Sequence, residues 1–313
     1  MVININHEQA GKFEETRFEK IHNVIFKDSN EASIIVAQEI AKLIKEKESR
    51  GEKCVLGLAT GSSPINVYEE LVRMHKEEGL SFKNVITFNL DEYYPMHKSN
   101  TQSYWYFMHE HLFNHIDILP ENIHIPNGEI PSSEIYQFCI DYEMKIKEVG
   151  GLDFQLLGIG RTGHIGFNEP GSHFNSGTRN ITLDHITRID AAPSFLGIEN
   201  VPKVAITMGI STIRRAKRIV LLAWGINKAS VVQKAIEGEV TSEIPSSYLQ
   251  NHDNVTFVLD EGASEELTRI KTPWLVKSCV WTNELSLKAA VWLSGLVKKS
   301  ILKLTDSDYN NNG

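Results

Sequence analysis

Three short segments gather side chains that could do chemistry. The first is Ala59-Thr60-Gly61-Ser62-Ser63-Pro64, which follows an apolar run and precedes a helical pattern. Free N–H groups and small side chains at a helix start make an anion site, with phosphate the natural candidate. The same composition also suits a tight strand-to-helix turn that uses small residues only for packing. The second is Asp91-Glu92-Tyr93-Tyr94, after the run VITFNL. Successive side chains at a strand end point to opposite sides. One carboxylate could therefore reach a cleft and serve as a base while the other turns outward; a solvated acidic turn is the plainer reading.

The third segment, residues 158–170 (GIGRTGHIGFNEP), contains a literal G-x-G-x-x-G. A dinucleotide fingerprint should open a long helix, whereas Gly166, Pro170 and Gly171 follow Gly163 closely. It also lies in mid-chain, away from a first strand-helix turn. What remains is a glycine-rich loop holding His164 and Glu169, suited to a histidine acid/base oriented by a carboxylate.

These segments need elements to position them. Residues 29–50 place Ile34, Ala37, Ala41 and Ile44 at helical spacing, with Asn30 as a candidate N-cap and Gly51 as the stop. Ser63 and Pro64 would supply an N-cap and an N1 proline for a helix over 65–78. Apolar runs at 85–90, 153–159, 203–208, 218–224 and 254–259 alternate with helical patterns. Unbroken apolar runs are strands buried on both faces. The fold class expected is α/β: a doubly wound, mostly parallel, Rossmann-like sheet with helices on both faces and ligands beyond the carboxyl ends of its strands. Residues 160–200 form the longest aperiodic stretch and read as a functional loop or lid. Residues 282–304 have helical periodicity and end in a polar tail.

The bulk properties exclude several function classes. A chain of 313 residues, 41% hydrophobic and 23% charged, can bury a large core. Its 32 basic and 40 acidic side chains are mixed and leave a net charge of −8, so no basic face is offered to nucleic acid. The N-terminus lacks a basic and then apolar leader, and no run approaches the roughly 20 apolar residues that span a bilayer. A cytoplasmic location without a membrane partner is expected. Cys54, Cys139 and Cys279 show no spacing for a disulfide framework or a thiolate metal site and read as small core residues.

The segments GLATGSSP, TFNLDEYY and GHIGFNEPGS, in this order and spacing, resemble the signatures of glucosamine-6-phosphate deaminases, from about residue 20 to about residue 275. The wider superfamily includes 6-phosphogluconolactonases; Phe167 to Pro170 and the Asp91 cluster point to the deaminase branch. The resemblance implies conversion of glucosamine 6-phosphate to fructose 6-phosphate and ammonia, with neither metal nor organic cofactor. Asp91 would shuttle the proton between C2 and C1, His164 would open the pyranose ring, and Glu169 would hold the imidazole. Thr60, Gly61, Ser62 and Ser63 match the phosphate loop, and Lys228 in WGINKAS matches its phosphate lysine.

The chain departs from the pattern at several positions. Thr162 stands where an aspartate commonly accompanies the histidine, and a hydroxyl cannot stabilise an imidazolium by charge. Pro193 aligns with the lid's phosphate-binding arginine, which Arg161, Arg179 or Arg188 could replace. Ser172 and Arg179 fit an intersubunit effector site, but Ile181 replaces its lysine, which argues against allosteric control. A homo-oligomer is implied. The division expected is an extension over 1–20, the α/β domain over 21–276, and a helix with a polar tail over 277–313 that could lead into a further domain. Another sugar-phosphate activity, as a lactonase or isomerase, and a non-catalytic sugar-phosphate sensor are the competing readings.

Overall fold

The computed structural model describes residues 14–312. The N-terminal residues read for a leader and most of the expected extension over 1–20 lie outside the described residues. Among the described residues ten strands are formed: β1 (Asn23–Phe26), β2 (Cys54–Leu58), β3 (Val85–Asn89), β4 (Asp91–Tyr94), β5 (Ile123–His124), β6 (Phe154–Gly158), β7 (Arg179–Thr182), β8 (Val204–Thr207), β9 (Ile219–Ala223) and β10 (Val255–Asp260). The longer helices of the α/β body are α1 (Ser29–Ser49), α2 (Ile65–Glu78), α3 (Tyr104–His111), α4 (Ile135–Glu148), α5 (His185–Ala191), α6 (Ile210–Arg214) and α7 (Ala229–Glu237).

Seven strands form one sheet in the order β1-β10-β9-β6-β2-β3-β5, and every pairing in it is parallel. Alternate residues feed two cores, as the strand pleat requires. Val55, Phe88, Leu157, Leu221 and Phe257 pack with α4 and α7 on one face. Leu56, Leu156, Val220, Leu222 and Val258 pack with α1 and α2 on the other. The double winding expected from the apolar runs is thus present. From β2 the chain runs outward to β3 and β5, then returns to place β6 on the other side of β2 and continues to β9 and β10. The order reverses between β2 and β6, the switch point outside whose carboxyl ends doubly wound sheets bind ligands.

Local details correct the sequence reading. Helix α1 is capped by Asp28, whose carboxylate accepts from the N–H groups of Asn30 and Glu31, so Asn30 is inside the helix. No side chain caps α2; Pro64 occupies its N-cap position, and the Ser63 carbonyl instead accepts from the Trp224 indole at 3.0 Å. The run 203–208 does form a strand, but β8 is the centre of a separate antiparallel sheet, β4-β8-β7. The aperiodic region 160–200 holds β7 and α5 as well as loops. A helix spans Asn283–Val297 near the C-terminus, and Trp274 of the body packs against its Trp292 and against Trp281. Among the described residues no helix is long and apolar enough to cross a membrane.

The small sheet is pinned to the body by Glu143 of α4. Its Oε1 accepts from the Thr178 N–H at 2.8 Å and the Thr178 hydroxyl at 2.6 Å, just before β7. The Thr212 hydroxyl of α6 donates to the same oxygen, and Arg215 reaches Oε2 at 2.8 Å. Glu143→Ala removes the acceptor for all four donors and should destabilise the fold by about 2–4 kcal/mol, read as a lower urea midpoint at unchanged slope.

Candidate active site

Because β2, β6 and β9 are neighbours, the loops leaving their carboxyl ends lie side by side at the switch point. The first presents Thr60, Gly61, Ser62 and Ser63, with Gly61 at φ +88°, a left-handed turn suited to glycine. Among the described residues the backbone N–H groups of 60–63 find no acceptor. Lys228, after β9, is half-buried; its backbone N–H donates to the Gly225 carbonyl at 3.0 Å, but its ammonium has no hydrogen-bond acceptor or ion-pair partner among the described residues. Burial lowers its pKa from the ordinary lysine value; the Asp190 carboxylate opposes that shift and the Arg161 guanidinium adds to it. Unused N–H donors beside an unpaired ammonium form a cradle for an anion.

Asp91 is the first residue of β4, directly after the chain leaves β3, and pairs in register with Thr207 of β8. It is only 5% exposed, and its carboxylate takes no hydrogen bond among the described residues. Burial, and then the neighbouring Glu92 charge, raises its pKa well above the ordinary carboxylate value. The loop bearing His164 lies over it: Gly166 sits at φ +55°, and a Cβ there would stand 3.2 Å from Asp91 Oδ2 and 3.0 Å from Thr207 Oγ1. Glycine at 166 is what allows the two segments to approach this closely.

Glu92 points the other way but does not reach solvent. Its carboxylate caps α3, accepting from the N–H groups of Tyr93 at 2.9 Å, Tyr104 at 3.0 Å and Trp105 at 3.0 Å. Burial pushes its pKa up to about 7, although these N–H donors pull it down. The acidic pair is therefore buried on both sides of β4, and the plain reading of a solvated acidic turn is excluded.

His164 Nδ1 lies 2.9 Å from Thr162 Oγ1, 3.2 Å from Glu169 Oε2 and 3.4 Å from Thr187 Oγ1. The approach of Glu169 is an ion-pair distance without hydrogen-bond alignment, so Oε2 takes no aligned bond. Burial would raise the Glu169 pKa, but His164, the Thr187 hydroxyl and the Asp184 N–H outweigh it and hold the carboxyl below the ordinary value. With Nδ1 surrounded by oxygens, Nε2 is the ring nitrogen without a polar partner among the described residues. The imidazole rests against Gly160, where any Cβ would collide with the ring. The G-x-G of this loop thus makes room for a histidine. Turns and then β7 follow Gly163, where a dinucleotide fingerprint needs a long helix.

Thr162 stands beside the imidazole as the sequence placed it. Arg179 donates to Asn168 Oδ1 at 2.9 Å and Ser172 Oγ at 3.1 Å, and Arg188 to the carbonyl of Ile198 at 2.8 Å. Pro193 is exposed, in the turns after α5. Sequence reasoning missed Thr187 and Thr207, which lie far along the chain from the motifs they serve. It also missed the aromatic box in which Tyr93 packs on Tyr104, Phe167 and Phe195, each with ring centroids 5.1 Å away. Tyr93 and Phe167 stood inside recognised motifs, a usable signal; Phe195 carried none. Among the described residues no group of three His, Cys, Asp or Glu side chains gathers as a metal site.

Comparison with known proteins adds relatives to this geometry. Residues 27–258 match the family described as glucosamine-6-phosphate isomerases/6-phosphogluconolactonase. A glucosamine-6-phosphate deaminase-like protein of Bacteroides thetaiotaomicron is 50% identical over 298 residues, which cover 95% of this chain but 45% of that protein. The chain therefore spans less than half the length of this relative. Glucosamine-6-phosphate deaminase of Clostridium novyi is 46% identical over 242 residues, covering 77% of this chain and 98% of that one. The solved structure of a monomeric glucosamine-6-phosphate deaminase superposes with a TM-score of 0.75 at 43% identity, covering 79% of this chain and all of the other.

Two measurements check the site geometry. Gly160→Ala should displace the imidazole, read as a moved His164 ring resonance by NMR in a protein that still folds cooperatively. Glu92 is protonated in the folded protein up to about pH 7 but ionises from about 4.5 when unfolded. Folding takes up a proton in that window, so the stability Glu92 contributes is present below pH 4.5 and lost as pH rises toward 7. Glu92→Gln should flatten this part of the stability–pH curve by up to about 1.4 kcal/mol per pH unit.

Proposed function

The chain belongs to the family of glucosamine-6-phosphate isomerases and 6-phosphogluconolactonases, and on that premise we propose that it converts glucosamine 6-phosphate and water to fructose 6-phosphate and ammonia. The observation that carries the reading is Asp91: a buried carboxylate, free of hydrogen bonds among the described residues and covered by the loop that holds His164. Aldose–ketose isomerisation needs one base to take the proton from C2 and return it to C1. A carboxylate whose basicity is raised by burial suits a weakly acidic carbon proton.

In this reading the phosphate sits on the N–H groups of 60–63 and on Lys228. His164 moves a proton at the ring oxygen through Nε2 and opens the pyranose. Glu169, with the hydroxyls of Thr162 and Thr187, holds the Nδ1 side and stabilises the ring when it carries a proton. Asp91 then transfers the proton from C2 to C1 while a proton passes from the amine nitrogen to the C1 oxygen, which turns the C1 carbonyl into a hydroxyl and leaves an imine at C2. Water adds to that carbon, and the C–N bond breaks to release ammonia. Thr162 leaves one carboxylate at the imidazole, a weaker hold on the imidazolium than two would give.

All of these residues come from a single chain. The homo-oligomer implied by the resemblance meets a counter-example in the monomeric relative. The α/β body over 21–276 contains the whole proposed site, with 277–313 as an appended segment. A phosphorylated sugar as substrate accords with a cytoplasmic location.

Incubation with glucosamine 6-phosphate should release ammonia and fructose 6-phosphate in equal amounts, and Asp91→Asn should lower the rate by at least about a thousandfold, within the range general bases contribute. Because Asp91 is buried with a raised pKa, the stability it contributes is present below its unfolded pKa and lost as pH rises through its folded one. Asp91→Asn should therefore melt higher than the parent at neutral pH. Absence of ammonia at high enzyme concentration, or turnover of 6-phosphogluconolactone in its place, would overturn the deaminase reading.

A further inference from the structure

Pro193 leaves the lid without a cation at the position where the resemblance expects one, and three arginines stand close enough in sequence to replace it. The structure separates them. The Arg188 guanidinium donates to the carbonyls of Ile198 at 2.8 Å and Val201 at 3.5 Å, which close the loop after α5. Arg179 donates to Asn168, Ser172 and the Gly177 carbonyl, which ties β7 to the loop on both sides of Glu169. Both donate to the protein's own oxygens, although the buried Arg188 Nε has no acceptor among the described residues.

Arg161 is placed differently. It stands in the loop leaving β6, the strand that lies between β2 and β9, so it is flanked by the Thr60–Ser63 loop on one side and the Lys228 segment on the other. Its side chain is 53% exposed, and its only partner among the described residues is Asp190 of α5, 2.8 Å away and 45% exposed. Lys228 feels the charge of both, although it pairs with neither. Two cations thus bear on a single carboxylate, which belongs to the helix that carries Thr187 against His164.

We propose that Arg161 is the second phosphate-binding cation of this site, and that Asp190 is its resting counter-ion, exchanged for the phosphate of the substrate on binding. The inference rests on the sugar-phosphate reading above and names the residue that replaces the missing lid arginine. An exposed ion pair in water is held weakly and is easily exchanged. A phosphate offers more charge and a geometry that the guanidinium fork meets with two parallel hydrogen bonds. The exchange also reaches the chemistry. Helix α5 carries Thr187, 3.4 Å from His164 Nδ1, as well as Asp190, so releasing Asp190 acts on the helix that lines the imidazole.

The test uses the full chain, with inorganic phosphate as the probe and glucosamine 6-phosphate as the substrate. Arg161→Ala should weaken inorganic phosphate binding, measured by calorimetry or thermal shift, by about tenfold or more, and should raise KM more than it lowers kcat. Arg161→Lys should recover part of the loss, since it keeps the charge and loses the fork. Asp190→Asn should tighten phosphate binding several-fold, because the competing carboxylate is gone. Phosphate affinity unchanged within twofold in Arg161→Ala would overturn the proposal. So would Asp190→Asn weakening phosphate as Arg161→Ala does, which would make the pair a structural latch, or a parent protein that binds no phosphate. The phosphate arm needs no turnover, so a chain that binds phosphate through Arg161 without releasing ammonia would overturn the deaminase reading and leave this one standing.

Discussion

Leu90 joins two sheets with its own peptide groups. Its N–H donates to the Leu58 carbonyl at 3.0 Å, and its carbonyl accepts from the Met208 N–H at 2.7 Å. The first bond continues the parallel ladder of β2 and β3; the second opens the antiparallel ladder of β4 and β8. The chain therefore changes sheets within one residue, and the next residue, Asp91, is carried into the joint between them. A slip of one residue at this point would exchange the sides of Asp91 and Glu92, because side chains alternate along a strand. The capping of α3 by Glu92 and the placing of Asp91 beneath the His164 loop depend on this register.

The joint makes both carboxyl groups basic for the same reason that it strains the fold. Water is excluded from adjacent acids, so each resists ionisation. Glu92 is compensated by three N–H donors, those of Tyr104 and Trp105 at the start of α3 and that of Tyr93 in β4. Asp91 is not, and an uncompensated buried carboxyl is a feature selected for chemistry more often than for stability. The aromatic box of Tyr93, Tyr104, Phe167 and Phe195 packs its rings over the same region. The fold thus places its least stable groups where four elements from distant parts of the sequence overlap.

Much of the architecture was legible where burial leaves a direct mark on composition. β3, β6, β9 and β10 lie inside the parallel sheet with helices on both faces, and each reads as an unbroken apolar run. β8 carries the same mark because it too is covered on both sides, yet it belongs to the other sheet; the signature reports burial and is silent on partners. β4 and β7 are short and polar, with Asp91, Glu92, Arg179 and Asn180 among their residues, and gave no strand signal. Caps were misplaced by small distances because Asp28 and Asn30 are both good caps, and only the geometry of the turn decides between them.

At the site, the sequence alone determined which residue types were available and that the motifs sit at strand ends, since these follow from local composition and short-range periodicity. It also determined that Gly160 and Gly166 are small, but not what they make room for. Tertiary structure decided the pairings: Glu92 with the start of α3, Thr187 with His164, Glu143 with β7 and α6, and Asp190 with Arg161 in preference to Arg179 or Arg188. Each joins groups whose approach depends on strand order and register, set by the packing of the whole core. A hydroxyl on α5 acquires a role beside an imidazole 23 residues earlier only because the chain between them folds back.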